Sequence, residues 1–274
     1  VSWLTIPSAR PVAEVNATVA RWRARGYKIA LWRDDTDAVE ADCVMVGGYP
    51  GYSVAVNTLI RHVLETDRKC EWAIAAGDDT DPDPNHTAQE IAAECSAHFA
   101  PVSIKTADVV TVGAVTIETE REDPADTESF ADYIREQAPY LLRGTFGVMQ
   151  PTGDRWGDRN GAYIDRVAGS AWIGREFCRR AYGGNGPMWS EYHHMYVDEE
   201  LQCVALKLGV FWQRPDLTHL HNHWGRPREG ERLGQAERMP AFLRHANSAE
   251  NWRKMKAIFE ARRAAGFPGS EATA

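Results

Sequence analysis

The side chains best suited to chemistry fall in three short stretches. In Trp72-Ala73-Ile74-Ala75-Ala76-Gly77-Asp78-Asp79-Thr80-Asp81-Pro82-Asp83-Pro84-Asn85 an apolar run stops at four carboxylates within six residues. Carboxylates that converge repel one another unless a cation lies between them, and an oxygen-rich cluster suits Mg²⁺ or Mn²⁺. A solvated acidic turn has the same composition, because Asp and Pro are ordinary turn residues. The second stretch, Asp198-Glu199-Glu200, opens a helix pattern. The helix dipole by itself favours acids there. The third is Leu217-Thr218-His219-Leu220-His221-Asn222-His223-Trp224, read as a strand. Alternate strand residues share a face, which would turn His219, His221 and His223 together toward a metal. No HExxH motif accompanies them, so a zinc hydrolase site is incomplete. One histidine joining the aspartates on a single cation is the smaller claim. His193-His194 reads as loop.

The elements that must position these groups follow from apolar patterning. Trp72 to Ala76 is short, apolar and ended by breakers, as a buried parallel strand should be. Such a strand delivers its last residues to the carboxyl edge of the sheet, where open α/β folds place ligands. Before it come strands at 3–6, 27–32 and 43–46 and helices at 14–25 and 54–65, the second capped by Ser53. A helix at 87–98 follows. This alternation predicts a parallel, doubly wound sheet. No GxGxxG follows the first strand and no GxxxxGK[ST] occurs, which disfavours a dinucleotide domain and a P-loop.

Further on, 102–118 reads as strand and 126–138 as helix. The span 142–161 reads as a polar, aromatic loop with Arg143, Asp154, Arg155, Trp156, Asp158 and Arg159 interleaved, bordering a substrate or simply connecting elements. A buried element at 166–173, helices at 175–182 and 198–208 and a strand at 210–212 come next. A last helix begins near Ser248. Its Trp252, Met255, Ile258 and Phe259 share a face, which reads as packing.

The 274 residues, 43% apolar and 26% charged, suffice for a full core in one large or two small domains. No run of about 18 apolar residues exists to span a membrane. Val1-Ser2-Trp3 lacks a basic leader and the five cysteines form no CxxC pair, which together predict a reducing cytoplasm, a host's if the protein is viral. Charge is uneven. From His221 to Phe267 there are ten Arg or Lys against five Glu, a net +5 that leaves −13 on the rest of a chain at −8. That is a locally basic surface, or a solvated helix face, on an acidic body.

Taken in order, these parts resemble the GT-A fold glycosyltransferases of the family 2 type. The likeness is carried by Ile6-Pro7-Ser8-Ala9-Arg10-Pro11 after the first strand and by Asp34 or Asp35 after the second. Gly51 to Asn57, Gly77 to Pro84, and Asp198-Glu199-Glu200-Leu201 with Gly209 continue it, and His219-Leu220-His221 closes it. It covers about residues 1–225. Three departures stand out: Gly77 replaces the first Asp of the metal motif, Val197 replaces a Glu before the catalytic Asp, and membrane helices common in relatives are missing.

The resemblance implies an α/β, Rossmann-like GT-A fold: a mixed, mostly parallel sheet flanked by helices. Residues 1–100 would form the nucleotide-binding half, 101–225 the acceptor and catalytic half, and 226–274 a basic helical extension. It implies an inverting transfer from a nucleotide-sugar, a UDP-sugar favoured, with Mn²⁺ or Mg²⁺ on Asp79 and Asp81 or Asp78, and His221 or His219 completing the shell. Pro7, Ser8, Arg10, Asp34, Asp35, Asn57, Asp78 and Asp79 would hold the donor. Asp198 would be the base, and Trp156, Trp172 and Glu199 would meet the acceptor. Relatives include phage enzymes that glycosylate hydroxymethylated DNA bases, so DNA is one acceptor, with a glycan or small molecule as the others. The rival readings are a nucleotidyltransferase and a metal-dependent hydrolase built on His219, His221 and His223.

Overall fold

The computed structural model describes residues 1–100, strand segments at 103–104, 109–112 and 115–118, and residues 144–154, 169–226 and 238–270. Strands β1 (Ser2–Pro7), β2 (Lys28–Arg33), β3 (Cys43–Val46) and β4 (Trp72–Ala76) alternate with helices α1 (Val12–Arg23) and α2 (Tyr52–Thr66). A two-residue strand β5 (Thr80–Asp81) and helix α3 (Ala88–His98) follow. Strands β6 (Ser103–Ile104), β7 (Val109–Val112) and β8 (Val115–Glu118) form a separate antiparallel sheet. The order continues with β9 (Val148–Pro151), β10 (Ser170–Gly174), α4 (Arg175–Arg180), α5 (Val197–Lys207), β11 (Phe211–Arg214), β12 (Leu220–His221), α6 (Leu243–Ala246) and α7 (Ala249–Ala264).

The main sheet has seven strands in the order β11-β9-β10-β4-β1-β2-β3. Strands β4, β1, β2 and β3 pair parallel; β10 runs antiparallel to both β4 and β9, and β11 parallel to β9. The result is a mixed, mostly parallel sheet. Side-chain alternation splits its core in two. Leu4, Ile6, Trp72, Ile74 and Ala76 pack with Val15, Val19 and Trp22 of α1 and Ile91 and Cys95 of α3. Trp3, Ala73 and Ala75 face α2, α5 and α7 through Val56, Ile60, Leu201, Val204, Met255 and Phe259. Each large aliphatic or aromatic side chain buried in this way contributes about 1.5–3 kcal/mol. The last helix therefore shares a core with helix α2, and Arg262 reaches back to a buried Glu200.

Local chemistry explains most element ends. Thr87 and Glu90 form a capping box at α3, and Ser248 caps α7 by accepting from the Asn251 amide. Helix α2 starts two residues earlier than expected. Gly51, at φ 101°, takes the cap position, where a Cβ would meet His193 Nδ1 at 2.9 Å. Ser53 is inside the helix, and its hydroxyl donates to the Tyr192 carbonyl, fastening the 188–196 segment to α2.

Two further readings differ from the structure. Val148–Pro151 lies in the span read as loop, yet it is a fully buried internal strand. Four residues that follow Gly147 and end on Pro151 are too few to show a period, so only pairing with β10 and β11 defines them. The 217–224 run keeps only Leu220 and His221 in strand. The expected helix at 126–138 lies outside the described residues.

Candidate active site

The carboxyl ends of β1, β2 and β4 open onto a cleft of about 810 Å³. Its opposite wall is the amino end of α5 together with α6 and the first turn of α7. The sheet side contributes Pro7, Ser8, Asp34, Gly77, Asp78 and Asp79; the far side contributes Asp198 and Glu199. The two acidic stretches, separated by well over a hundred residues, thus share one cavity.

The sequence of the acidic loop divides its four carboxylates among different tasks. Asp78 is tied to the β1 loop: it accepts from Ser8 Oγ at 2.6 Å and from Arg10 Nε at 2.9 Å. Burial raises its pKa, with Arg10 and Ser8 opposing that rise. Asp79 Oδ1 lies 3.3 Å from His221 Nε2. The approach is set by backbone. Strand β12 pairs antiparallel with β5, His221 opposite Thr80, and the Asn222 amide donates to the Asp79 carbonyl at 2.7 Å. Burial raises the Asp79 carboxyl, but His221 and Arg10 outweigh it and the net shift is down. Burial lowers His221, but Asp79 and Asp154 outweigh it and the net shift is up. Each partner thus favours the charged form of the other. His223, whose ring centroid is 5.2 Å from that of His221, is pushed down to about 4 by burial and by His221.

Gly77 explains the departure from the metal motif noted above. A Cβ at this position would lie 2.6 Å from Asp79 Oδ1. Glycine leaves room for the Asp79 carboxylate to fold back beside the strand end, toward His221.

Among the described residues no group of three or more His, Cys, Asp or Glu side chains is arranged to hold a metal. Asp79 and His221 nevertheless fit a two-donor set. Ligands at about 2.1 Å from one small divalent ion are about 3 Å apart in neighbouring positions, and such ions commonly keep their other positions for water and phosphate oxygens. The 3.3 Å separation matches that spacing.

On the far wall, Tyr196 caps α5 in the left-handed conformation, φ 67°, an uncommon state for a non-glycine residue. The helix then presents Asp198 and Glu199 to the cleft. Burial and the adjoining Asp198 carboxylate raise Glu199 well above the ordinary carboxylate range. Glu199 thus favours its neutral form, in which it can give a hydrogen bond to Asp198. Behind them Glu200 is buried, accepting from Tyr182 and Tyr192 hydroxyls at 2.6 and 2.7 Å.

Several expected site residues are placed elsewhere. Asp81 does not line the cleft; its strand turns it to Arg21 and to Asn222, whose Nδ2 donates at 2.8 Å. His219 is 3% exposed, edge-on to Trp22, with Nδ1 3.0 Å from Ser170 Oγ, and burial lowers it to about 3. It is a core histidine, because the strand that would have aligned three imidazoles is only two residues long. Trp172, expected at the acceptor, is fully buried on the internal strand β10. Asn57 is a structural clamp, donating to the Met188 carbonyl at 2.7 Å and accepting its amide at 3.2 Å. Asp35 pairs with Arg33 at 2.6 Å, leaving Asp34 as the residue that reaches the cleft. Arg10 acts on the cleft through Asp78. Trp156 lies outside the described residues.

Other lining residues were not read as site residues from sequence: Tyr49, Tyr52, His194, Trp224, Phe242 and Trp252, the last of which was read as packing yet is exposed in the cleft. The Gly47–Tyr52 loop, His193-His194 beside the acidic helix, and the aromatic start of the last helix were visible signals. Nothing local indicated that they face one cavity.

No protein-family model matches the chain. No curated protein matches it either. Among solved structures the chain is similar to the catalytic domain of Drosophila beta1,4-galactosyltransferase 7, determined in complex with xylobiose. The identity is 11%, the TM-score 0.43, and the match covers 85% of this chain and 74% of that one.

Proposed function

We propose that this chain is a metal-dependent inverting glycosyltransferase that moves a sugar from a nucleotide-diphosphate donor, a UDP-sugar favoured, to an acceptor hydroxyl. One observation carries the reading. The described lining of the cleft holds four aspartates, Asp34, Asp78, Asp79 and Asp198, beside a Glu199 biased to its neutral form, and no Lys or Arg. A diphosphate entering that field is repelled unless a cation accompanies it. Asp79 and His221 would hold that cation, Mn²⁺ or Mg²⁺. Bound there, it would supply charge neutralisation for the departing diphosphate.

The chain's own residues then have defined work. Pro7, Ser8 and Asp34 border the donor's nucleoside end, and Arg10 with Ser8 fixes Asp78 so that the loop holds its shape. Asp198 takes the proton of the acceptor hydroxyl as that oxygen forms its bond to the anomeric carbon. The bond from that carbon to the diphosphate oxygen breaks, and the nucleoside diphosphate leaves with the electron pair. Glu199, protonated, steadies the Asp198 carboxylate by a hydrogen bond. The acidic lining disfavours DNA, since a polyanion needs Lys and Arg partners. A glycan or small-molecule acceptor fits the same lining.

Thermal shift with nucleotides tests this. UDP with Mn²⁺ should stabilise the chain while either alone should not. A larger shift from nucleoside triphosphates would favour the nucleotidyltransferase reading. The hydrolase reading loses its geometric basis with His219 in the core.

A further inference from the structure

The three most exposed aromatic side chains among the described residues are Tyr49, Phe242 and Trp252, at 42%, 43% and 43%. All three line the one cleft. Large apolar groups left in water cost free energy, and their concentration in a cavity marks a ligand surface. Phe242 and Trp252 belong to the segment after residue 225 and stand on the side of the cleft where α5 begins. The Trp252 ring meets Tyr196 edge-on, centroids 5.8 Å apart, and Tyr196 is stacked on Phe259 at 5.2 Å. Tyr196 in turn lies two residues before Asp198. Through Tyr196 the Trp252 ring therefore adjoins the start of the helix that carries Asp198 and Glu199.

We propose that Phe242, Trp252 and Tyr196 form the acceptor subsite and that its ligand is an uncharged saccharide. This rests on the transferase reading for its role, though not for its chemistry. A pyranose presents a flat C–H face and a rim of hydroxyls. The face stacks on an indole or phenyl ring, and the rim donates to carboxylates. A nucleobase also stacks on aromatic rings, but a nucleic acid brings phosphates with it. No Lys or Arg in the described lining would meet them; Arg253 and Lys254 follow Trp252 in sequence and are not lining residues. A sulfated or carboxylated glycan meets the same repulsion.

The test uses the full chain with UDP and Mn²⁺ on an array of neutral, sulfated and sialylated glycans, with single-stranded DNA as a separate probe. Neutral glycans should bind best. Trp252→Ala should weaken them by about tenfold or more, as removal of an aromatic anchor does. Trp252→Phe should recover part of the loss, and Arg253→Ala should change nothing. Preference for anionic glycans or DNA, absence of neutral-glycan binding, or full binding by Trp252→Ala overturns the proposal. The UDP–Mn²⁺ thermal shift is read on the same samples. Its retention in Trp252→Ala shows a folded donor site. Saccharide binding that depends on Trp252 without any UDP–Mn²⁺ shift in the parent would leave the subsite standing and remove the transferase reading.

Discussion

Arg262 of α7 forks onto the Glu200 carboxylate two residues beyond Asp198, at 2.7–3.1 Å, and its guanidinium lies 3.6 Å from the Trp189 ring centroid. Glu200 is 1% exposed and also receives two tyrosine hydroxyls. The last helix is thus bonded to the helix that carries the proposed base. Removing one member strands a buried charge. Arg262→Leu should cost roughly 3–5 kcal/mol in urea unfolding, and a double variant with Glu200→Gln should cost less than the sum of the two. Strict additivity would show that the pair is not coupled.

Asp198→Asn keeps the shape of the side chain and removes its capacity to take a proton. Turnover should fall by about 10²–10⁴, the range for loss of a general base. Affinity for UDP with Mn²⁺, measured calorimetrically, should stay within about twofold. Parent-like turnover would assign the base elsewhere.

Gly77→Ala inserts a methyl 2.6 Å from where Asp79 Oδ1 now lies, closer than such atoms can sit. The carboxylate must swing away from His221, so the Mn²⁺-dependent part of UDP binding should drop while the fold persists. Asp79→Asn should give the same loss. If Gly77→Ala binds Mn²⁺ and UDP as the parent does, the close approach is without consequence.

Glu199 gives a pH dependence with a defined sign. Its folded pKa is raised above the ordinary 4.5. The folded chain therefore keeps a proton that the unfolded chain has lost, and stability falls as pH rises from about 4.5 toward the raised value. Glu199→Gln removes that loss. The variant should melt higher than the parent at pH 8, with the gap closing near pH 4. An equal gap at both pH values would contradict the buried, protonated state.

The strand Trp72–Ala76 was legible to the residue because an apolar run and an abrupt acidic stop are both local signals. Helix α3 was legible to within a residue, as was the parallel pairing of the first four strands. β9 was not legible, since a four-residue strand from Val148 to Pro151 is defined by its neighbours.

At the site, sequence alone named the carboxylates Asp78, Asp79 and Asp198 and the histidine His221, because charge placed after an apolar strand or at a helix start is a pattern in one dimension. Tertiary structure decided which of them meet. Pairing of β5 with β12 brought His221 to Asp79 and turned Asp81 out to Arg21, and packing took His219 and Trp172 into the core. Folding of the last helix onto α5 put Trp252 in the cleft. A side chain's type is written in the chain, but the direction it faces depends on partners far away in sequence, and those partners exist only once the fold has closed.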